Sequence, residues 1–413
     1  MSSISRGIKN ASYLAVGNLI TQIISFVGFI YIARMLGPDN YGIYVTVGAF
    51  VGLFEILLLL GLNKTIIREG SNDISSMHIF LEKTIGIRNL LIIISIIVCI
   101  ISSFFTPYDL QTKLYITLFS FQLAYTGLRG FLATIYQATE KMQYISIFGI
   151  VNRVIYVSLS IAFLYCGFGV LALFLIALFS NLLTISANYF YSRRYVKFNF
   201  FSKLQFDNNL LKQAVIFSLL GFVIFLTTKI DLVMISLLGT SKDVGVYGVA
   251  FRITQLGLML RNVIAMAFFP IFVKQFHTHK MKARQLVKNS LFFFVIIFAL
   301  SLAVSFFVED IVSILLGPEY HNSGEILRVL IFYLAFSWST LPFTTAAQAT
   351  QNEKYMLIVW SFMAALNIPL NYLLFIKYGL IGIAYSTLVV TAAGLFLISY
   401  ITLKVMKKQG YLL

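Results

Sequence analysis

Stretches of about 20 apolar-dominated residues recur along the whole chain, and this repetition constrains the fold more than any other feature. In hydrocarbon only a helix or a closed barrel satisfies its own backbone groups, and a bilayer core of roughly 30 Å takes about 20 apolar residues per helix. Twelve spans fit, near 11–33, 43–60, 85–106, 113–136, 146–165, 169–190, 213–238, 246–270, 289–308, 325–349, 355–376 and 380–403. They use most of the 413 residues, leaving little for a domain outside the membrane. Composition agrees, with 59% hydrophobic and 11% charged residues against roughly 45–50% and about 25% in soluble domains. A soluble globular enzyme is excluded, and the fold class expected is an all-α integral membrane protein of about 12 transmembrane helices.

An even number of spans puts both termini on one side, and loop charge decides which. Of 31 Lys and Arg against 15 Asp and Glu, 21 basic residues fall on the side of the termini and only Arg34, Lys113, Lys242, Arg328 and Lys377 fall opposite. The positive-inside rule therefore places both termini in the cytoplasm. The formal charge of +16 fits anionic lipid and an anionic substrate. Nucleic acid is not an expected partner, because the basic residues are scattered between apolar spans. The first apolar stretch exceeds the 7–15 residues of a signal-peptide core and is expected to stay as span one.

The connection at about 191–212 divides the chain near its midpoint and carries five positive charges. The expected organisation is a six-helix lobe over 1–195, a basic cytoplasmic linker over 196–212 and a second six-helix lobe over 213–413. Internal similarity supports a duplication. Leu36-Gly37-Pro38-Asp39-Asn40-Tyr41-Gly42-Ile43-Tyr44 resembles Leu238-Gly239-Thr240-Ser241-Lys242-Asp243-Val244-Gly245-Val246-Tyr247 with one inserted residue. Gln137-Ala138-Thr139 matches Gln348-Ala349-Thr350, and Gly167-Phe168-Gly169 matches Gly379-Leu380-Ile381-Gly382, in the same order. Six spans return the chain to its starting side, so the repeats are parallel and pseudo-symmetric about an axis along the membrane normal.

Charged residues inside spans are costly, at about 2.5–3.5 kcal/mol for Arg on insertion scales, and usually face a bundle interior or a wet cavity. Arg129, Arg153, Lys229, Arg252 and Arg261 lie within spans, with Arg34 and Arg88 nearer the edges. These seven are the candidate cationic substrate site, because guanidinium bonds two phosphate oxygens at once. The alternative is snorkelling to headgroups or pairing with the two in-span acids, Glu55 and Asp231. Asp231 is either a charge partner, with Arg252 at similar depth, or a site for a coupling proton or sodium ion.

Asn18, Thr21, Gln22 and Ser25 share one stripe of span one, and Asn367 and Asn371 stand at i, i+4 around Pro369 in span eleven. Asn18, Gln22, Asn367 and Asn371 are candidate glycan contacts, with packing between helices as the alternative. Cys99 and Cys166 have no metal-ligand spacing, and His277 and His279 read as a solvated loop. No Walker loop, dinucleotide fingerprint or nucleophile elbow is present, so neither cofactor, metal nor catalytic residue is expected.

The opening Asn10-Ala11-Ser12-Tyr13 and the later Ile32-Ala33-Arg34-Met35-Leu36-Gly37-Pro38-Asp39-Asn40-Tyr41-Gly42 resemble the start of Wzx-type polysaccharide flippases. These belong to the multidrug/oligosaccharidyl-lipid/polysaccharide (MOP) exporter superfamily, which also holds the MATE transporters. Asp231 through Tyr247, with Ala250-Phe251-Arg252-Ile253, is similar to the start of the second lobe in that family. The resemblance implies two V-shaped lobes that open alternately, moving an undecaprenyl-diphosphate-linked oligosaccharide across a bacterial inner (cytoplasmic) membrane. The glycan would be an O-antigen, capsular or exopolysaccharide repeat unit, with polysaccharide polymerase and chain-length machinery as partners. Outward movement of a diphosphate gains roughly 4–5 kcal/mol from 100 mV if the whole potential acts on it. Two rivals remain. A MATE-type multidrug antiporter should have an acidic cavity, whereas the spans here hold five bases against two acids. A polysaccharide polymerase or ligase generally needs a large outer loop, and every outer connection here is short.

Overall fold

The computed structural model describes all residues except 1–2, 59–62, 64–65, 68–69, 72–76, 201–222, 224–227, 279–282, 351, 409 and 411–413. Among the described residues the regular elements are helices, and the chain divides into two compact units, Met1–Phe222 and Val223–Leu413. Most of the expected linker and the first half of span seven lie outside the described residues.

In the first unit, α1 (Ser3–Phe54) bends at Gly37, whose φ of 68° and ψ of 170° interrupt the helix. Pro38 follows at once, where the first turn of a new helix needs no N–H donor. The expected loop between spans one and two is therefore a kink in one element. A 3₁₀ turn, Glu55–Leu58, follows, then α2 (Met77–Phe104), α3 (Leu110–Phe119), α4 (Gln122–Ala138), α5 (Gln143–Tyr165) and α6 (Val170–Ser192). Helix α1 packs on α5, and α6 packs on α4 and α5. Ile66, Met77, Leu81, Ile85, Phe131 and Leu132 form a fully buried core.

The second unit contains α7 (228–238), α8 (Ser241–Thr278), α9 (Ala283–Ser305), α10 (Val308–Leu316), α11 (His321–Ser339), α12 (Leu341–Ala349), α13 (Glu353–Tyr378) and α14 (Leu380–Lys408). Thr240 and Asp243 cap α8 reciprocally: Asp243 N–H donates to Thr240 Oγ1 at 3.2 Å and Thr240 N–H donates to Asp243 Oδ2 at 2.8 Å. Helix α11 packs on α8, α9 and α14, and α13 pairs with α14. Helix α13 runs through Pro369.

Nine helical stretches among the described residues are long and apolar enough to cross a bilayer. Three features account for the difference from twelve. The stretch Ser12–Leu58 contains both of the first two spans, the fourth is divided at Ser120–Phe121 into α3 and α4, and the seventh is only partly described. About 12 helices is thus consistent with the structure. Ile93, Ile97 and Ile101 on α2 and Leu291, Phe292 and Val295 on α9 are exposed, as befits side chains whose solvent is lipid rather than water.

The internal matches have structural counterparts. Gly167 after α5 and Gly379 after α13 both have positive φ, at 84° and 63°. The aligned Tyr44 and Tyr247 both use their hydroxyls in buried or half-buried bonds, Tyr44 to Tyr156 at 3.0 Å and Tyr247 to Asp231 at 3.0 Å.

Candidate functional site

Asp231 lies on α7 with only 7% of its surface exposed. Its carboxylate accepts three neutral donors: Tyr247 Oη to Oδ2 at 3.0 Å, Thr387 Oγ1 to Oδ2 at 2.7 Å, and Asn371 Nδ2 to Oδ1 at 2.8 Å. The same Asn371 amide donates to Asn367 Oδ1 at 2.9 Å. Helices α7, α8, α13 and α14 thus converge on one carboxyl group. The expected pairing of Asp231 with Arg252 is corrected, since no ion pair joins them among the described residues. On a helix turning 100° per residue, Arg252 points about 140° away from Tyr247, and it is Tyr247 that faces Asp231. Asn371, an expected glycan contact, is here fully buried with its amide N–H groups engaged by Asp231 and Asn367. Its Oδ1 is buried with no hydrogen-bond partner among the described residues, an acceptor that a buried site normally satisfies.

Lys229, two residues before Asp231, places Nζ 5.2 Å from the Phe251 ring centroid. Phe251 stacks on Tyr247 at 6.4 Å. Arg252 is half-buried next to Phe251 and forms no hydrogen bond or ion pair among the described residues.

A cavity of about 430 Å³ opens inside this second unit, between α8, α11, α12, α13 and α14. Arg261 is its only charged lining residue among the described residues. The guanidinium is held in place by its own wall, with Nε donating to Ser337 O and Nη2 to Thr340 Oγ1, both at 2.8 Å. Asn367 and Thr387, which belong to the Asp231 network, also line this space. Of the expected glycan contacts in span eleven, Asn367 therefore reaches a cavity and Asn371 does not.

In the first unit the basic candidates separate into two groups. Arg88 is buried at 2% exposure, with Nη1 donating to Gly127 O at 2.8 Å, Nη2 to Asn63 Oδ1 at 2.5 Å, and its guanidinium 5.6 Å from the Phe131 ring. Expected in a substrate cavity, Arg88 here faces α4 rather than open space and ties α2 to that helix. Arg34 and Arg129 are exposed, and neither makes a hydrogen bond or ion pair among the described residues. Arg129 lines a narrow crevice with Tyr125, Tyr136, Thr184 and Asn188. Half-buried Arg153 lies 5.7 Å from the Tyr156 ring, and Tyr125 is within electrostatic reach of both Arg129 and Arg153.

Glu55 accepts from Thr126 Oγ1 at 3.0 Å. In the stripe on α1, Thr21 and Ser25 hydroxyls donate back to Gly17 O and Thr21 O of their own helix, while Asn18 and Gln22 are exposed and line neither the cavity nor the crevice.

Several site residues escaped sequence reasoning. Asn152 donates to Asn181 Oδ1 at 3.0 Å and Thr184 Oγ1 at 3.2 Å, Asn181 donates to Gln122, and Asn188 accepts from Tyr136 Oη at 2.6 Å. Asn181, Thr184 and Asn188 stand at i, i+3, i+7, a spacing that marks one helical face. Thr340, Thr344 and Gln348, at i, i+4, i+8, give the same signal for the cavity wall in α12.

Comparison with known proteins adds three kinds of match. The family model described as "Polysaccharide biosynthesis protein" matches residues 8–276, and the MatE model matches residues 216–373. A capsular polysaccharide biosynthesis protein, CapF of Staphylococcus aureus, is 24% identical over 92% of this chain and 95% of its own length. A probable flippase, AglR of Haloferax volcanii, is 24% identical over 94% of this chain and 82% of its own. Among solved structures, the lipid II flippase MurJ in an inward closed conformation has a TM-score of 0.75 at 15% identity, covering 93% of this chain and 86% of that one. At that identity the likeness establishes a shared fold.

Proposed function

This chain belongs to the polysaccharide biosynthesis protein family, and on that premise we propose that it is a flippase for lipid-linked glycans. The substrate is an undecaprenyl-diphosphate-linked oligosaccharide, a repeat unit of O-antigen, capsule or exopolysaccharide. It moves from the cytoplasmic to the outer leaflet of the cell membrane by alternating access. Both termini lie in the cytoplasm, and polymerase and chain-length machinery take up the product.

One observation carries this reading. Arg34, Arg129 and Arg252, on helices α1, α4 and α8, have no acceptor among the described residues. Within a span, as at Arg129 and Arg252, a guanidinium with none of its five donors engaged is costly, and a diphosphate supplies missing acceptors in bidentate geometry. The protein then lowers a solvation barrier and breaks no bond. Arg153 and Lys229, each over an aromatic ring, add positive potential.

Asp231 is the coupling site in this account. A carboxylate surrounded by hydroxyl and amide donors is held in place without being neutralised, so a proton or a monovalent cation supplies the balancing charge. The orphan Asn371 Oδ1 and the Asn367 oxygen stand beside it as further hard ligands.

The test is a flipping assay in vesicles with a defined undecaprenyl-diphosphate-linked glycan. Arg34→Ala, Arg129→Ala and Arg252→Ala are each expected to slow transfer roughly ten- to a hundredfold, the loss of one charge-assisted contact of about 1.5–3 kcal/mol. Normal rates in all three would remove the cationic site. The MatE match favours export of organic cations as a second reading, and rescue of drug-sensitive growth by expression of the chain is the result that would support it.

A further inference from the structure

The cavity in the second unit has a polarity unlike that required by a diphosphate. Four of its threonine hydroxyls already donate to the protein: Thr340 to Ser337 O at 2.8 Å, Thr344 to the carbonyls of Thr340 and Leu341 at 3.1 Å, Thr345 to Leu341 O at 2.7 Å, and Thr387 to Asp231 at 2.7 Å. What such hydroxyls offer an incoming molecule is lone pairs. Arg261, the only charged lining residue among the described residues, has Nε and Nη2 engaged by Ser337 and Thr340, with Nη1 3.4 Å from Asn262 Oδ1. One guanidinium already tied to its own wall is poor provision for a polyanion, and hydroxyls left with free lone pairs suit a neutral ligand that brings its own O–H or N–H donors. Amide side chains at Gln348 and Asn367 supply groups of both kinds, and Trp360 with Met356, Val359 and Met363 forms an apolar face. The volume of about 430 Å³ lies within the range of about 300–1,000 Å³ typical of small-molecule sites.

We propose that this cavity binds a sugar residue of the transported glycan, with Trp360 against the apolar face of the ring and Thr344 and Gln348 accepting from its hydroxyls. The identity of the ligand as glycan head rests on the flippase function proposed above; the preference for a neutral polyhydroxyl ligand rests on the wall alone. Recognition of sugar and of diphosphate is thereby divided between different side chains. Because Asn367 and Thr387 line the cavity and also belong to the Asp231 network, a seated sugar touches the residues that hold the coupling carboxylate.

The chain has two tryptophans, and Trp338 is buried against Phe293. A Trp338→Phe protein in lipid nanodiscs therefore reports on Trp360 alone. Titration with N,N′-diacetylchitobiose and with maltose is expected to give a saturable change in emission with at least one of them, and inorganic pyrophosphate none. Thr344→Val and Gln348→Leu should each weaken the response roughly three- to tenfold, as expected for one hydrogen bond. If Trp338→Phe fails to fold, the same titration of the wild type against Trp360→Phe gives the readout, with the change present only in the former. A response to pyrophosphate equal to that of the sugars, or no response to either sugar, overturns the proposal. Since the titration involves no transport, a protein that binds sugar but flips nothing defeats the flippase reading alone. One that flips lipid-linked glycan while Trp360 stays silent defeats the cavity assignment alone.

Discussion

Asp231→Asn is expected to leave the protein folded, slow glycan transfer by roughly tenfold or more, about 1.4 kcal/mol at the barrier, and abolish the response of transport to an imposed proton or sodium gradient. The substitution conserves shape, so cavity terms are small. Tyr247 and Thr387 can rotate their hydroxyls to accept from the new amide. What is lost is the charge. With it goes the reason for a cation to enter a site otherwise built of neutral oxygens and nitrogens. Vesicles with the gradient applied or collapsed separate the two effects, and a variant that retains both the wild-type rate and its gradient dependence would reduce Asp231 to a packing residue.

Gly382→Val should be the most damaging single change to the fold. Gly382 stands at the start of α14, where a Cβ would be driven into the Leu374 carbonyl of α13. The obstacle is main chain in the neighbouring helix of a tightly paired hairpin, so no rotamer relieves it, and the two helices that carry Asn367, Asn371 and Thr387 must separate. Overpacking in a dense interior costs about 1–3 kcal/mol where side chains can yield, and here about 3 kcal/mol or more is expected. Thermal unfolding in detergent measures it, with Gly48→Ala as control, because a Cβ at Gly48 has nothing within 4 Å. Equal melting temperatures for the two variants would contradict the packing of α13 on α14.

The spans were legible because each needs a long apolar run, and their termini were less so. Helix α2 begins at Met77 rather than near residue 85, since Met77 and Leu81 are fully buried while Glu82 and Lys83 on the same turns are exposed. The division of span four at Ser120–Phe121 has neither glycine nor proline to announce it. At the site, Asp231 stands out in sequence as one of only two in-span carboxylates. Its partners do not, because depth along the membrane normal ranks Arg252 as a neighbour while the angle around α8 selects Tyr247. Thr387 lies 156 residues away in sequence, a separation at which only the folded unit brings groups together. Arg88 illustrates the same limit: its charge is visible in sequence, its burial against Gly127 and Phe131 is not.

The measurement that bears most directly on the whole account is leaflet transfer by the wild-type chain in vesicles containing a fluorescent undecaprenyl-diphosphate-linked glycan, read by quenching from outside, beside efflux of an organic cation from the same vesicles. Transfer of the glycolipid well above protein-free vesicles, without cation efflux, is the result expected. Cation efflux with the glycolipid left in its original leaflet would contradict it.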